Sequence, residues 1–133
     1  MIKNDQRNEI IRVFRKFSRL ALDGEGLNPI QVYKKIEFLC VSRRSRLDML
    51  AVYDTLRLLY LDGEFEIIDA IRCVYFEGRA IRLTKYEIGS RVLALANANH
   101  CDERTIYRRL ERARKLYEKV REKEGLIEDN ASF

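Results

Sequence analysis

The sequence predicts an all-α fold, a helical bundle with a C-terminal trihelical helix-turn-helix. Hydrophobic residues make up 47% of the 133 residues, which is enough to build a core. Only one proline and six glycines are present, a composition that favours helices over loops and sheets. Apolar residues recur at three- and four-residue steps along most of the chain, which is the period of an amphipathic helix.

The N-terminal segment contains two predicted helices before residue 41. The first spans residues 8–22, and the glycines in residues 23–26 end it. Its cations, Arg15 among them, are expected to be solvated on the outer face. The second begins at Asn28 and Pro29, because asparagine caps a helix well and proline fits its first position. The inward stripe of the first helix comprises Ile10, Phe14, Phe17 and Ala21.

Residues 47–61 predict a third helix that is apolar nearly all round. Ser45 and Asp48 before it resemble a capping box, and Asp62-Gly63 ends it. A helix apolar on two sides is usually central in a bundle, which is the interpretation that we favour. The alternative is that one of its sides forms a homodimer interface.

Three more helices are predicted in the C-terminal half. Residues 64–76 form the first, with five inward residues. The second begins with a capping box formed by Thr84 and Glu87, and the polar cluster 97–102 ends it. The third begins at its N-cap, Asp102, and runs to about residue 124. In the helix over 64–76, the residues predicted to face inward are Phe65, Ile68, Ile71, Val74 and Tyr75. The inward stripe of the last helix is Ile106, Leu110, Ala113 and Tyr117.

Positive charge is concentrated on the last helix. Residues 102–123 contain nine Lys or Arg against five acids, so they carry +4 of the net charge of +5. A basic row on one helix is typical of nucleic-acid binding. The competing interpretation is a solvated helix with i,i+4 ion pairs such as that of Glu111 with Lys115. Charge alone does not separate the two.

The last two helices are joined by a short polar turn, and the second is basic, which is the pattern of a helix-turn-helix. Ala96 falls where the two helices pass closest, and a small residue is wanted there. Ile106 lies ten residues later, where the second helix docks back, and Leu110 extends that contact. His100 occupies the turn position often held by glycine.

The run TIYRRLERARKLY resembles the end of the helix-turn-helix of sigma-70 region 4, over roughly residues 84–117. Phage regulators of the ArpU and RinA kind are also similar. The resemblance implies an activator of late phage or mobile-element genes, with RNA polymerase as a possible partner. No sigma region 2 signature occurs in the first sixty residues. The residues that carry the resemblance are Thr105, Ile106, Arg112, Ala113, Arg114, Lys115 and Leu116.

The candidate DNA-binding residues lie on the exposed face of the last helix. Arg104 and Arg108 are four apart and could reach base edges, since arginine pairs bidentately with guanine. Arg109 and Arg112 are better suited to phosphates, and the ring of Tyr107 has a competing role in packing against a preceding helix. The full predicted set is Arg104, Thr105, Tyr107, Arg108, Arg109, Arg112 and Lys115.

Other classes of protein are disfavoured. Cys40, Cys73 and Cys101 are widely spaced and His100 is the only histidine, so we expect no zinc site, disulfide framework or cofactor. No phosphate-binding glycine loop or nucleophile–base pair indicates an enzyme. No apolar run suggests a signal peptide or a membrane span, so a cytoplasmic protein is expected.

We therefore expect a sequence-specific DNA-binding transcriptional regulator of phage or mobile-element type. Residues 1–62 form a helical part for dimer or partner contact, 63–125 form the helix-turn-helix domain, and 126–133 form a tail. Double-stranded DNA and a second copy of the chain are the expected partners. Two alternatives are a small-terminase-like DNA-packaging protein and a helical protein-interaction module with no DNA role.

Overall fold

A computed structural model describes residues 2–21, 29–40, 42–78 and 82–131. These residues are all-helical and include no strand, so the predicted all-α class is confirmed. The predicted helix end at residues 23–26 and the cap at Asn28 lie outside them. None of the helices described combines the length and apolar character needed to cross a membrane. The helices are α1 Ile2–Ala21, α2 Pro29–Leu39, α3 Arg43–Leu61, α4 Phe65–Ala70 with a π-helical turn Ile71–Phe76, α5 Lys85–Ala98 and α6 Glu103–Ala131.

Helix α3 is central, as the sequence predicts, because it packs against α1, α2, α4 and α6. Val52 and Leu56 on this helix are buried. Its start differs from the prediction. Ser42 is the N-cap, and its hydroxyl accepts the Ser45 backbone N–H at 3.1 Å, so the box expected at Ser45 and Asp48 is wrong. The earlier cap frees the Asp48 carboxylate for contacts with α6.

The end of α3 follows the sequence prediction. The Asp62 backbone N–H donates to Leu58 O at 3.0 Å, and Gly63 has a φ of +73°. A left-handed residue at this place is the usual way to end a helix, and glycine adopts it without steric cost. The chain then turns directly into α4.

The predicted helix 64–76 is present, but its second half is a π-helical turn and one inward residue is wrong. Ile71, Val74 and Tyr75 are buried as expected. Phe65 is 53% exposed, and Ile67 is buried in its place. Two residues along a helix point about 200° apart, so when Ile67 faces the core Phe65 faces outward.

A buried arginine holds the end of the π-helical turn. The Arg15 guanidinium donates to Tyr75 O at 2.9 Å and to Glu77 O at 2.6 Å. Arg91 of α5 donates to Val74 O at 2.9 Å. Carbonyls at the end of a helix lack internal donors, and a guanidinium can satisfy several at once. The expectation that Arg15 is solvated is therefore wrong, and burial lowers its pKa, with a smaller contribution from Arg91.

One cluster of buried side chains includes residues from both sides of the expected boundary at 62 and 63. Phe14 of α1 packs edge-on against Tyr75, with ring centroids 5.8 Å apart, and against Tyr117 of α6, at 5.4 Å. The division into two domains stays a prediction. Helix α6 therefore packs against both the N-terminal helices and α4.

Candidate nucleic-acid interface

Helix α5 begins at the predicted capping box. The Thr84 hydroxyl accepts the Glu87 backbone N–H at 3.1 Å, and the Glu87 carboxylate accepts the Thr84 N–H at 3.4 Å. This reciprocal pair satisfies two donors that the first turn of a helix leaves free. Val92 and Ala96 on the same helix are buried, and α5 packs against α6. The small residue expected at Ala96 therefore lies in the interior of this helix pair.

The turn between α5 and α6 depends on a left-handed residue. His100 has a φ of +54°, a region in which glycine is favoured and most side chains are strained. The turn position that the helix-turn-helix pattern usually fills with glycine is thus the one that adopts the left-handed backbone conformation. The Cys101 backbone N–H donates to Ala96 O at 3.0 Å and closes the turn.

Asp102 caps α6 as predicted. Its carboxylate oxygen Oδ1 accepts the Thr105 backbone N–H and the Thr105 hydroxyl, both at 3.2 Å. The positive end of the helix dipole also favours an acid here. The Thr105 hydroxyl is therefore used in the cap.

The predicted inward stripe of α6 is confirmed, because Ile106, Leu110, Ala113 and Tyr117 are all buried. The predicted end near residue 124 is wrong, since the helix continues through Gly125 to Ala131 and takes in most of the expected tail. A single glycine inside a helix costs about 1 kcal/mol relative to alanine, which packing can offset. Tyr117 and Arg121 also bond the Asp48 carboxylate of α3, at 3.5 and 2.7 Å.

The outer side of α6 has a continuous row of cations. At 3.6 residues per turn they fall within a sector of about 100°, and the row is about 28 Å long. Three acids of the same helix, Glu111, Glu118 and Glu122, lie in a narrower sector beside it. The charges of one sign are therefore grouped. The exposed cations of the row are Arg104, Arg108, Arg112, Lys115, Lys119 and Lys123.

Two arginines at the start of this row are unpaired. Arg104 and Arg108 are exposed, and within the described part of the chain their side chains have no hydrogen bond or ion pair. They lie one turn apart in the first two turns of α6. Tyr107 between them is 43% exposed, and its hydroxyl lies 3.9 Å from the place of a Cβ on Gly89 of α5. The tyrosine therefore both packs on α5 and borders the exposed arginines.

Three of the predicted site residues are paired with acids. Arg109 lies 3.2 Å from Glu66, and Arg112 lies 3.1 Å from Glu64. These pairs join α6 to the start of α4. Only tertiary packing brings the partners together, so no local pattern indicates them.

The third pair is the one that the sequence predicts. The Lys115 ammonium lies 3.1 Å from the Glu111 carboxylate, one turn back, and the hydrogen bond from this lysine lowers the pKa of Glu111. Both interpretations of the basic helix therefore apply, to different residues. The row includes ion pairs of a solvated helix and, at its N-terminal end, unpaired cations.

Lys119 and Lys123 extend the row beyond the predicted site. Both are exposed, and their four-residue spacing from Lys115 was the available signal. Taken together, the row presents guanidinium and ammonium groups along one side of a helix whose other side is held in the core. Such a surface can bind phosphates and, where an arginine reaches a base edge, guanine.

Comparison with known proteins found no family model, no curated protein and no solved structure that matches this chain.

Proposed function

We propose that the protein is a DNA-binding transcriptional regulator in which α5, the turn at His100 and α6 act as a helix-turn-helix. The observation that carries this proposal is that two arginines without ion-pair partners, Arg104 and Arg108, lie at the exposed N-terminal end of a basic helix. Exposed cations that lack internal partners are available to phosphates without the loss of an existing ion pair. The regulatory role itself, of phage or mobile-element type, rests on the resemblance to sigma-70 region 4.

The major groove of duplex DNA fits this end of α6. The groove is about 12 Å wide and admits one α-helix, while the second helix of the motif lies across it. Residues at the start of a recognition helix reach base edges in such a complex. Arg104 and Arg108 occupy that position, one helical turn apart.

The proposed role of each side chain follows from the contacts that it already makes within the protein. Arg104 and Arg108 are assigned to bases and phosphates. Thr105 is assigned to the helix cap, because its hydroxyl bonds Asp102. Arg109 and Arg112 fix α6 against α4, through carboxylates that DNA would have to displace. The proposed contact surface is therefore shorter than the basic row.

The test is binding to random-sequence duplex DNA, measured by fluorescence anisotropy across a salt series. The double variant Arg104→Ala/Arg108→Ala should bind at least about tenfold more weakly, and the slope of log K against log salt should fall by up to about 2. Lys16→Ala/Lys34→Ala is the matched control, since it removes two exposed charges from α1 and α2. Circular dichroism should show unchanged helix content in both variants.

Two results would refute the proposal. The first is that the wild-type protein binds no duplex at low salt, which would leave the protein-interaction module as the better function. Alternatively, the two double variants could lose affinity equally, which would show that net charge rather than the start of α6 determines binding.

An exposed apolar cluster supports a protein partner as well. Tyr60 and Phe65 lie exposed at the junction of α3 and α4 with their ring centroids 5.4 Å apart, and Leu61 next to Tyr60 is exposed as well. A second copy of the chain is the simplest occupant, because a homodimer would read two half-sites. RNA polymerase, which the resemblance implies, is the other. Light scattering tests the first of these: a dimer mass supports a second copy, a monomer mass leaves RNA polymerase as the occupant, and a ring-sized mass favours the DNA-packaging alternative.

A further inference from the structure

Two adjoining cavities lie between α1 and the start of α5. Their volumes are about 200 and 280 Å³, and both are lined by Asn8, Ile11, Lys85 and Ile88. The larger one extends to Arg114 of α6. We call the two cavities together the α1–α5 groove. Their combined volume falls within the range of small-molecule sites, roughly 300–1,000 Å³.

The charge of the groove is of one sign. None of the described residues that line the two cavities is acidic. Some of the cations already have one partner: Arg12 lies 3.3 Å from Glu9, and Arg114 donates to the Tyr75 hydroxyl at 2.6 Å. A guanidinium has five N–H donors, so each retains donors for a ligand. The basic residues that line the groove are Arg7, Arg12, Arg82, Lys85 and Arg114.

Like charges gathered around one cavity repel each other, and a bound anion removes that cost. Lys85 increases the cost, because it lies in the first turn of α5, where the helix dipole is positive and acids are the favourable residues. Arg82 and Lys85 are both exposed and have no partner among the described residues. The arrangement therefore favours a ligand that brings negative charge.

The lining also includes apolar side chains. Ile11, Ile88 and Leu110 line the larger cavity, beside the ring of Tyr107. A site that combines apolar walls with a few convergent cations suits a ligand that has an anionic group and an apolar body. From these features we propose that the α1–α5 groove binds a small phosphate-bearing anion.

The groove faces away from Arg108 of the proposed DNA surface, and this favours a small ligand over the phosphate backbone of DNA as its occupant. Arg114 lies about 120° around α6 from Arg108, as six residues of an α-helix require. Arg114 is about 80° from Arg104, so the groove opens to one side of the unpaired arginines, with Tyr107 between the groove and these arginines. The proposal is independent of the DNA-binding function, and it extends that function only if the ligand changes DNA affinity.

The test is isothermal titration calorimetry of the full chain with inorganic pyrophosphate, against sodium chloride at matched ionic strength. Binding to the wild-type protein should weaken about tenfold or more in Arg82→Gln/Lys85→Gln, because charged hydrogen bonds are lost. Lys34→Gln/Arg72→Gln removes two exposed charges outside the groove and should bind as the wild type does. Arg104→Ala/Arg108→Ala should also retain pyrophosphate affinity, which separates the groove from the proposed DNA surface.

Three results would overturn the proposal. The first is no binding of pyrophosphate beyond the effect of ionic strength, and the second is equal binding by the groove variant and the wild type. The third is a groove variant that loses duplex DNA affinity as strongly as it loses pyrophosphate affinity, which would assign these cations to the DNA backbone. Unchanged circular dichroism and melting temperature in the groove variant exclude misfolding as the cause of any loss.

Discussion

Replacing Glu124 with glutamine is expected to remove a pH dependence of stability at the contact between α6 and α3. The Glu124 carboxyl shares a hydrogen bond with Asp54 of α3, and burial, then this bond, raises its pKa to about 7. One oxygen of the Asp54 carboxylate, Oδ1, is buried, and the Arg57 guanidinium lies 3.6 Å from it. The nearby Arg121 and Arg57 oppose the rise only in part. The Glu124 carboxyl is therefore the group at this contact whose pKa is raised.

The sign of the effect follows from proton binding. In the unfolded chain Glu124 loses its proton near its ordinary pKa of 4.5, whereas the folded protein keeps it up to about 7. Between these values the folded state binds more protons, so the free energy of unfolding falls as pH rises. The fall begins near the lower value and is complete about one pH unit above the higher.

The size of the effect is bounded by the two pKa values. Each pH unit between 4.5 and about 7 corresponds to about 1.4 kcal/mol, which gives an upper bound of roughly 3.4 kcal/mol. Glu124 is partly exposed, and solvent screening reduces this to about 1–2 kcal/mol. In Glu124→Gln the amide can donate to Asp54 at every pH, so this decrease should be absent.

The assay is urea unfolding followed by circular dichroism at several values between pH 5 and pH 8. The wild type should lose about 1–2 kcal/mol across this window, and Glu124→Gln should be nearly constant. Glu122→Gln, which changes an exposed acid two residues earlier, should behave as the wild type does. The reasoning fails if the wild-type stability is flat, or if Glu124→Gln retains the full dependence.

Two further predictions concern the turn and the paired arginines. His100→Gly should leave the melting temperature unchanged or raise it, while His100→Val should cost about 1–2 kcal/mol, because a β-branched residue is strained at a φ of +54°. An equal effect of both would show that the turn is set elsewhere. Glu64→Gln/Glu66→Gln should free Arg112 and Arg109 and steepen the salt dependence of DNA binding by up to about 2, at a cost below about 1 kcal/mol in stability. An unchanged slope in the anisotropy series would place these arginines away from DNA.

Features encoded by neighbouring residues could be predicted from the sequence. The capping box at Thr84 and Glu87, the cap at Asp102 and the position of the turn at His100 each depend on a few adjacent positions. The inward stripe of α6 follows from periodicity alone. Local physics determines these features, so one sequence is enough to find them.

Features that depend on distant partners could not be predicted. Arg15 donates to a carbonyl 60 residues away. The hydrophobic periodicity of α1 places Arg15 on an outer face, because the pattern records only the polarity of each residue and not its distant partners. Arg112 meets Glu64 across 48 residues. The π-helical turn at Ile71–Phe76 depends on the same long-range bonds, since Arg15 and Arg91 satisfy the carbonyls at its end. Charge patterns therefore locate a basic helix, but they do not show which of its cations are already used.

The pairing of the cations limits how the proposed DNA complex can form. Arg109 and Arg112 hold α6 on α4, and Lys115 is paired within α6, so among the described residues of α6 the arginines without a partner lie in the first two turns. Two arginines give few phosphate contacts, and affinity that depends on so few contacts is weak at physiological salt. A second copy bound to an adjacent half-site would double the number of contacts without any change in α6. On the proposed function, the exposed apolar cluster at the α3–α4 junction would supply the dimer that binding through only two unpaired arginines requires.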